Sequence, residues 1–249
     1  MRLSLRHPVL QQQTRRSQRG IGLVELMVGI TVGLIVAAGA AVVATRQIVE
    51  HRRLMLEVQM QQDLRVAADL IQQDLRRAGY RGLPANGVWE PERDGGAVAP
   101  KPAQASPYAA ITQSTGGGDL FYRYAKNAAG TTRMNTTNSL ASNEQFGIKV
   151  ANKTLYLQLG LVSSLPNWQP ITDPDAIEIV GFTPTIVTQQ LPLDDLCICP
   201  AGTTCTMPTM TVKRVTITIN AVSKSDPNVR RTLQLTERIR ADDISGTCP

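Results

Sequence analysis

The strongest constraint on this chain is an uncharged apolar run with a single carboxylate at its front. Residues 26–45 carry no charge over 20 positions. As a helix, at about 1.5 Å per residue, the run is about 30 Å long, the thickness of a bilayer's hydrocarbon core. Ahead of it stand Glu25 and a basic leader that stops at Gly20. A lone carboxylate costs about 2.5 kcal/mol or more at the centre of a span and less near its end, so its presence implies a partner. In a secretory signal peptide the cut follows the apolar region, at small residues. Here the glycine and the carboxylate both precede the apolar core, and a cut at Gly20 keeps that core in the mature chain.

Other readings of the stretch stay open on the residues alone. One is an ordinary signal anchor in which Glu25 is incidental. Another is a signal peptide cut among Ala37-Ala38-Gly39-Ala40, or a twin-arginine signal around Arg15 and Arg16.

The charge balance does not favour a nucleic-acid partner. The formal charge is +6, with a pI near 9.4. Arg2, Arg6, Arg15, Arg16 and Arg19 supply five of those charges, and removing them takes the chain to +1. No basic field then remains to steer it onto nucleic acid. The same arginines place the N-terminus in the cytoplasm by the positive-inside rule, with everything after Thr45 across the membrane.

All four cysteines, Cys197, Cys199, Cys205 and Cys248, fall beyond that span. In an oxidising compartment an even set suggests disulfides. Cys197 and Cys199 would point the same way on a strand, which disfavours a bond between them. One link from Cys205 to either of them, with the other holding Cys248, is the expected arrangement. A four-thiolate zinc site is the rival, although the C-x-C spacing lacks the usual C-x₂-C knuckle.

Helix is expected to continue past the span. Residues 46–78 contain no Pro or Gly, and Leu64, Ala67, Ala68, Ile71, Leu75 and Ala78 recur at helical spacing. Gly79 offers a stop, with Arg76 and Arg77 suited to the negative end of the helix dipole. A helix over 23–78 would be about 84 Å long. Gly29-x-x-x-Gly33 has the spacing for close helix approach in lipid, although small residues are also simply tolerated there. Residues 82–118, with five Pro and seven Gly, read as loop. The Asn-, Thr- and Ser-rich stretch 125–145 reads the same way, with a strand between the two at Leu120-Phe121-Tyr122-Arg123-Tyr124.

The period then changes to two. Leu155, Leu157 and Leu159 alternate with Tyr156 and Gln158, and Ile177 and Ile179 begin another strand. Val215, Ile217, Ile219 and Ala221 alternate with polar neighbours, as do Leu233 and Leu235. Turn residues 223–228 lie between these last two runs. They predict an antiparallel hairpin with one buried face, covered by the stripe on the helix.

Catalytic chemistry finds little footing. Past the leader the one histidine is His51, which removes histidine triads and multi-His metal sites. There is no G-x-S-x-G and no phosphate loop at Gly116-Gly117-Gly118. Asp194-Asp195 and Asp242-Asp243 lack the register of a calcium loop and read as solvated turns. Trp89 and Trp168 read as core or loop anchors. No enzyme, cofactor or metal is expected.

Gly20 followed by Ile21-Gly22-Leu23-Val24-Glu25-Leu26-Met27 resembles the class III signal of type IV prepilins. That resemblance implies a dedicated membrane peptidase that cuts between Gly20 and Ile21 and N-methylates Ile21. It also implies that Glu25 acts in assembly. Ile21 departs from the family's usual Phe. The run Asp74-Leu75-Arg76-Arg77-Ala78-Gly79-Tyr80, with the two terminal strands at 212–222 and 231–240, is similar to the W-type minor pilins (the PilW family).

The fold implied is α+β and pilin-like. A long N-terminal α-helix, transmembrane in its first half, packs on an antiparallel β-sheet. The organisation implied is a leader at 1–20, a helix at 21–79 with its span at 26–45, and a periplasmic β-rich domain at 80–249. The function implied is a minor pilin that helps prime a type IV pilus and sits at its tip. Its partners would be the prepilin peptidase, other minor and major pilins, and the inner membrane. A J-type pseudopilin of a type II secretion system and a non-polymerising membrane-anchored periplasmic protein are the alternatives.

Overall fold

The computed structural model describes residues 20, 22–88, 90, 97, 99, 101–127, 133–193, 202 and 207–246. One helix, α1 (Leu23–Leu75), runs unbroken for 53 residues. It belongs to two compact units that meet between His51 and Arg52. In the first unit every described residue is exposed, and the helix is long and apolar enough to cross a membrane. A Cβ added at Gly29, Gly33 or Gly39 would meet nothing within 4 Å. The chain's own fold therefore does not require these residues to be small.

The second unit contains the rest of α1 and two antiparallel sheets. The first sheet has the order β1 (Thr112–Gln113), β2 (Leu120–Arg123), β3 (Gln145–Ala151), β4 (Thr154–Val162), β5 (Leu165–Pro170). The second has β6 (Ile177–Pro192), β7 (Thr209–Ser223) and β8 (Arg230–Arg238) side by side, with β9 (Asp243–Ser245) on β7. The α+β architecture is the one anticipated, but the strands form two sheets instead of one. Tight turns join several neighbours. Asn152 and Lys153, then Ser163 and Ser164, take positive φ between paired strands, the backbone twist that two-residue hairpins need.

The helical stripe covers the sheets as its spacing predicted. Leu64, Ala67, Ala68, Ile71, Leu75 and Ala78 are buried in one core cluster with Val215, Ile217, Ile219, Ala221 and Leu235. The first sheet adds Leu120, Tyr122, Phe146, Ile148 and Leu155 to the same cluster. The terminal hairpin pairs in register, with Ile217 opposite Leu235 and Ile219 opposite Leu233. Its turn is fixed at Asp226, whose side chain accepts from the Asn228 amide at 3.0 Å.

Three expectations need correction. The α-helix ends at Leu75, three residues before 78. Arg77 and Ala78 then bond back only three residues, to Asp74 and Leu75, at 3.0 and 3.1 Å, the tightening common at a helix end. Arg76 and Arg77 therefore lie just past the last helical turn, still at the negative end of its dipole. Gly79 is left-handed (φ 81°), but its amide donates to the Arg123 carbonyl at 2.8 Å and so joins β2, not the helix. Finally, Leu159 is exposed while Gln158 is buried. Leu159 still pairs in register with Phe146 on β3, but the pairing with β5 is irregular between Gln158 and Leu161, so the cover on this stretch of β4 is broken.

Gly82 gives a sharp test of this chain path. Its φ is 67°, and an added Cβ would overlap the Asn135 carbonyl oxygen. Left-handed backbone costs a side-chain-bearing residue about 1–3 kcal/mol even in open space. Gly82→Ala is expected to lower stability by about 2 kcal/mol or more, read as the unfolding midpoint of the detergent-solubilised chain. A change below about 0.5 kcal/mol would contradict this path for the backbone.

Candidate functional site

The N-terminal segment holds the residues expected to act in processing and assembly. Gly20 is exposed and outside any helix or strand, while Ile21 lies outside the described residues. The helix opens with the Leu26 amide donating to the Gly22 carbonyl at 3.1 Å. Glu25 sits in its first turn, where the unpaired amides of a helix start favour a carboxylate. Glu25, Leu26, Gly29 and Ile30 line one shallow groove along the helix. Glu25 and Gly29 share that face because four residues make about one turn. Among the described residues the Glu25 side chain has no hydrogen bond and no ion pair.

The cysteine pairing cannot be placed in the same way: Cys197, Cys199, Cys205 and Cys248 lie outside the described residues, as do Trp89, Asp194 and Asp195. Asp242 is paired with Arg238 at 2.7 Å. Trp168 sits on β5, with the Lys149 ammonium 4.2 Å from its ring centre. Its edge meets Phe121 at 6.3 Å.

A second cluster forms where α1 meets β2. Asp74 is almost fully buried, and one of its oxygens accepts the Tyr124 hydroxyl at 2.6 Å. The other accepts the Tyr122 hydroxyl. Tyr122 and Tyr124 point to the same face because they are two residues apart, one in β2 and one just past it. The Phe146 ring on β3 stacks on Tyr124 with centres 3.9 Å apart. Burial pushes the Asp74 carboxyl above the usual carboxylate range, against the pull of both hydroxyls and of the Arg77 and Lys126 charges. Burial, then the adjoining Asp74, pushes both phenols upward.

The neighbouring residues complete the joint. Arg76 donates to Glu237 on β8 at 3.1 Å. The Ala125 amide donates to the Tyr80 carbonyl at 2.7 Å. Thus the run 74–80 closes the helix, anchors a carboxylate under two tyrosines and starts a short backbone ladder with β2.

Residues 15–41 match the prokaryotic N-terminal methylation motif. Residues 53–239 match the prepilin peptidase-dependent protein B family. The chain belongs to that family. It is a type IV pilin-like protein: one match covers the end of the leader and the apolar start of α1, the other the rest of α1 from residue 53 through β8. No curated protein and no solved structure matches it significantly.

The family match covers the whole helix–sheet joint, Asp74 to Glu237 included. The partners of Asp74 were not found from sequence. The available signal was Tyr122-Arg123-Tyr124, two hydroxyls at strand period two. A second buried carboxylate, Glu144, was also missed. It accepts from the Tyr108 hydroxyl at 2.8 Å, from Asn135 Nδ2 at 2.9 Å, and from the amides of Lys126 and Ala141 at 2.9 and 2.8 Å. Four donors replace the water this carboxylate loses. They hold the described parts of the 125–145 stretch against the first sheet.

Proposed function

We propose that this protein is a W-type minor pilin, a structural subunit that primes type IV pilus assembly and stays at the filament tip. It carries no catalytic site in this reading. The prepilin peptidase cuts between Gly20 and Ile21 and methylates Ile21. The subunit sits in the inner membrane through residues 26–45, with its C-terminal domain in the periplasm, and then passes into the pilus with other minor and major pilins.

One observation carries the proposal: Glu25 has no partner among the described residues, at the front of an uncharged, fully exposed helix face that also presents Gly29. A carboxylate in that position requires a cation once neighbouring helices exclude water. The prepilin resemblance supplies one: the N-terminal amine of an adjacent subunit, here that of Ile21. The pair would set the axial register of one helix against the next, and Gly29 would let the helices approach closely. The turn at 74–80 supports the W-type assignment, since its residues build the helix–sheet joint that such a subunit needs.

Two measurements test this. Intact mass and N-terminal sequencing of membrane extracts should give an N-terminus at Ile21 that depends on the prepilin peptidase. An uncut chain, or a cut near Ala40, would end the pilin reading. Sheared pilus fibres should contain the protein at low abundance. Co-purification with type II secretion pseudopilins instead would assign it to the J-type.

A further inference from the structure

The turn that ends α1 opens onto a cavity of about 600 Å³, away from the proposed pairing of Glu25. Four cations line it: Arg76 and Arg77 after the helix, Lys126 after β2, and Arg240 after β8. No carboxylate is among the described lining residues. Arg76 gives its Nε–H to Glu237 and has further donors on its guanidinium fork. Arg77 lies close enough to Asp74 and Tyr124 for its charge to act on both. Lys126 and Arg240 form no ion pair among the described residues, although the Lys126 charge also reaches Asp74 and lies 6.0 Å from the Phe146 ring centre.

Compensation of the helix dipole accounts for Arg76 and Arg77 alone. Lys126 and Arg240 arrive from two separate strand ends, and like charges gathered around one hollow repel. Beyond its leader the chain has a formal charge of only +1, so this clustering is local. The remaining wall is mainly apolar and includes Tyr80 and Met134. A volume of this size is typical of small-molecule sites, which combine an apolar wall with a few convergent polar groups. Guanidinium forks fit the paired oxygens of carboxylate and phosphate.

We propose that this cavity binds a small oxyanionic ligand, phosphate- or carboxylate-bearing, held by Arg77, Lys126 and Arg240 and resting on Tyr80 and Met134. The test is calorimetric titration of the processed full chain in a non-ionic detergent. Ionic strength is kept below about 0.05 M, so that screening is weak. Pyrophosphate and citrate serve as separate probes. At least one should bind with one-to-one stoichiometry, and which one identifies the oxyanion. The double variant Lys126→Gln/Arg240→Gln alters two exposed side chains and should weaken binding at least about tenfold. Lys153→Gln, at a surface ion pair away from the cavity, should leave it unchanged. The proposal is overturned if neither probe binds the unmodified chain at millimolar concentration. Binding to the double variant as tight as to the unmodified chain overturns it as well.

Discussion

Replacing Glu25 with leucine leaves cleavage at Gly20 intact and lowers the amount of this subunit recovered in sheared filaments at least about tenfold. The two effects separate because they depend on different features. The proposed cut lies at Gly20, five residues before the side chain that changes. Assembly depends on the charge. Removing one member of a buried ion pair costs about 3–5 kcal/mol, since the surviving charge stays desolvated. Under the proposed pairing that survivor is the Ile21 amine of a neighbouring subunit. Glu25→Gln keeps the shape and a hydrogen-bond acceptor, so partial recovery with Gln and none with Leu would show that charge and geometry both contribute. The readout is the ratio of processed subunit in fibres to processed subunit in membranes. Normal incorporation of Glu25→Leu would remove the ion pair from the mechanism and leave only helix packing.

The second large effect lies at the helix–sheet joint. Asp74→Ala strands the hydroxyls of Tyr122 and Tyr124, which are 1% and 5% exposed. Each buried unsatisfied hydroxyl costs about 1–3 kcal/mol, so a loss of about 3–4 kcal/mol is expected. That corresponds to roughly 10 °C in the unfolding midpoint for a domain of this size. Asp74→Asn retains a hydrogen-bonding partner for each hydroxyl and should cost less than half as much. A loss below about 1 kcal/mol for Asp74→Ala would mean that the tyrosines find other partners.

The pH dependence of the joint follows from the directions of the shifts. Asp74 holds its proton more tightly folded than unfolded. Its contribution is complete below the ordinary carboxylate value of about 4 and is lost as pH rises through the folded value. The Asp74→Asn variant lacks this decline. Tyr122 and Tyr124 are also shifted upward. Their contribution is complete below the ordinary phenol value of about 10 and is lost at higher pH. Alkaline unfolding should therefore expose both phenolates together, and Tyr122→Phe or Tyr124→Phe should reduce that step. Absorbance near 295 nm follows phenolate formation alongside loss of structure.

The sequence by itself determined the features whose cause is local. An uncharged run longer than 18 residues has few ways to fold, and Glu25 five positions past Gly20 is an offset along one chain. The stripe on the second half of α1 and the alternation in β7 and β8 are periodicities that one buried face imposes. Each was legible because neighbours in sequence are neighbours on the element.

What only the tertiary structure decided has partners far apart in the chain. Asp74 is 48 and 50 residues from the tyrosines that satisfy it, and nothing around position 74 marks that carboxylate as the buried one. Arg76 and Arg240 reach the same hollow only after the second sheet has formed. Leu159 matches the strand pattern yet is exposed, because the cover over a strand position comes from distant segments, and the pairing with β5 is interrupted beside it. The division into two sheets, which falls between β5 and β6, is likewise set by which distant strands pair; the hairpins within the first sheet show the same dependence. Asn152-Lys153 and Ser163-Ser164 are weak turn signals, and pairing across the sheet holds them in the left-handed conformation that the hairpins need.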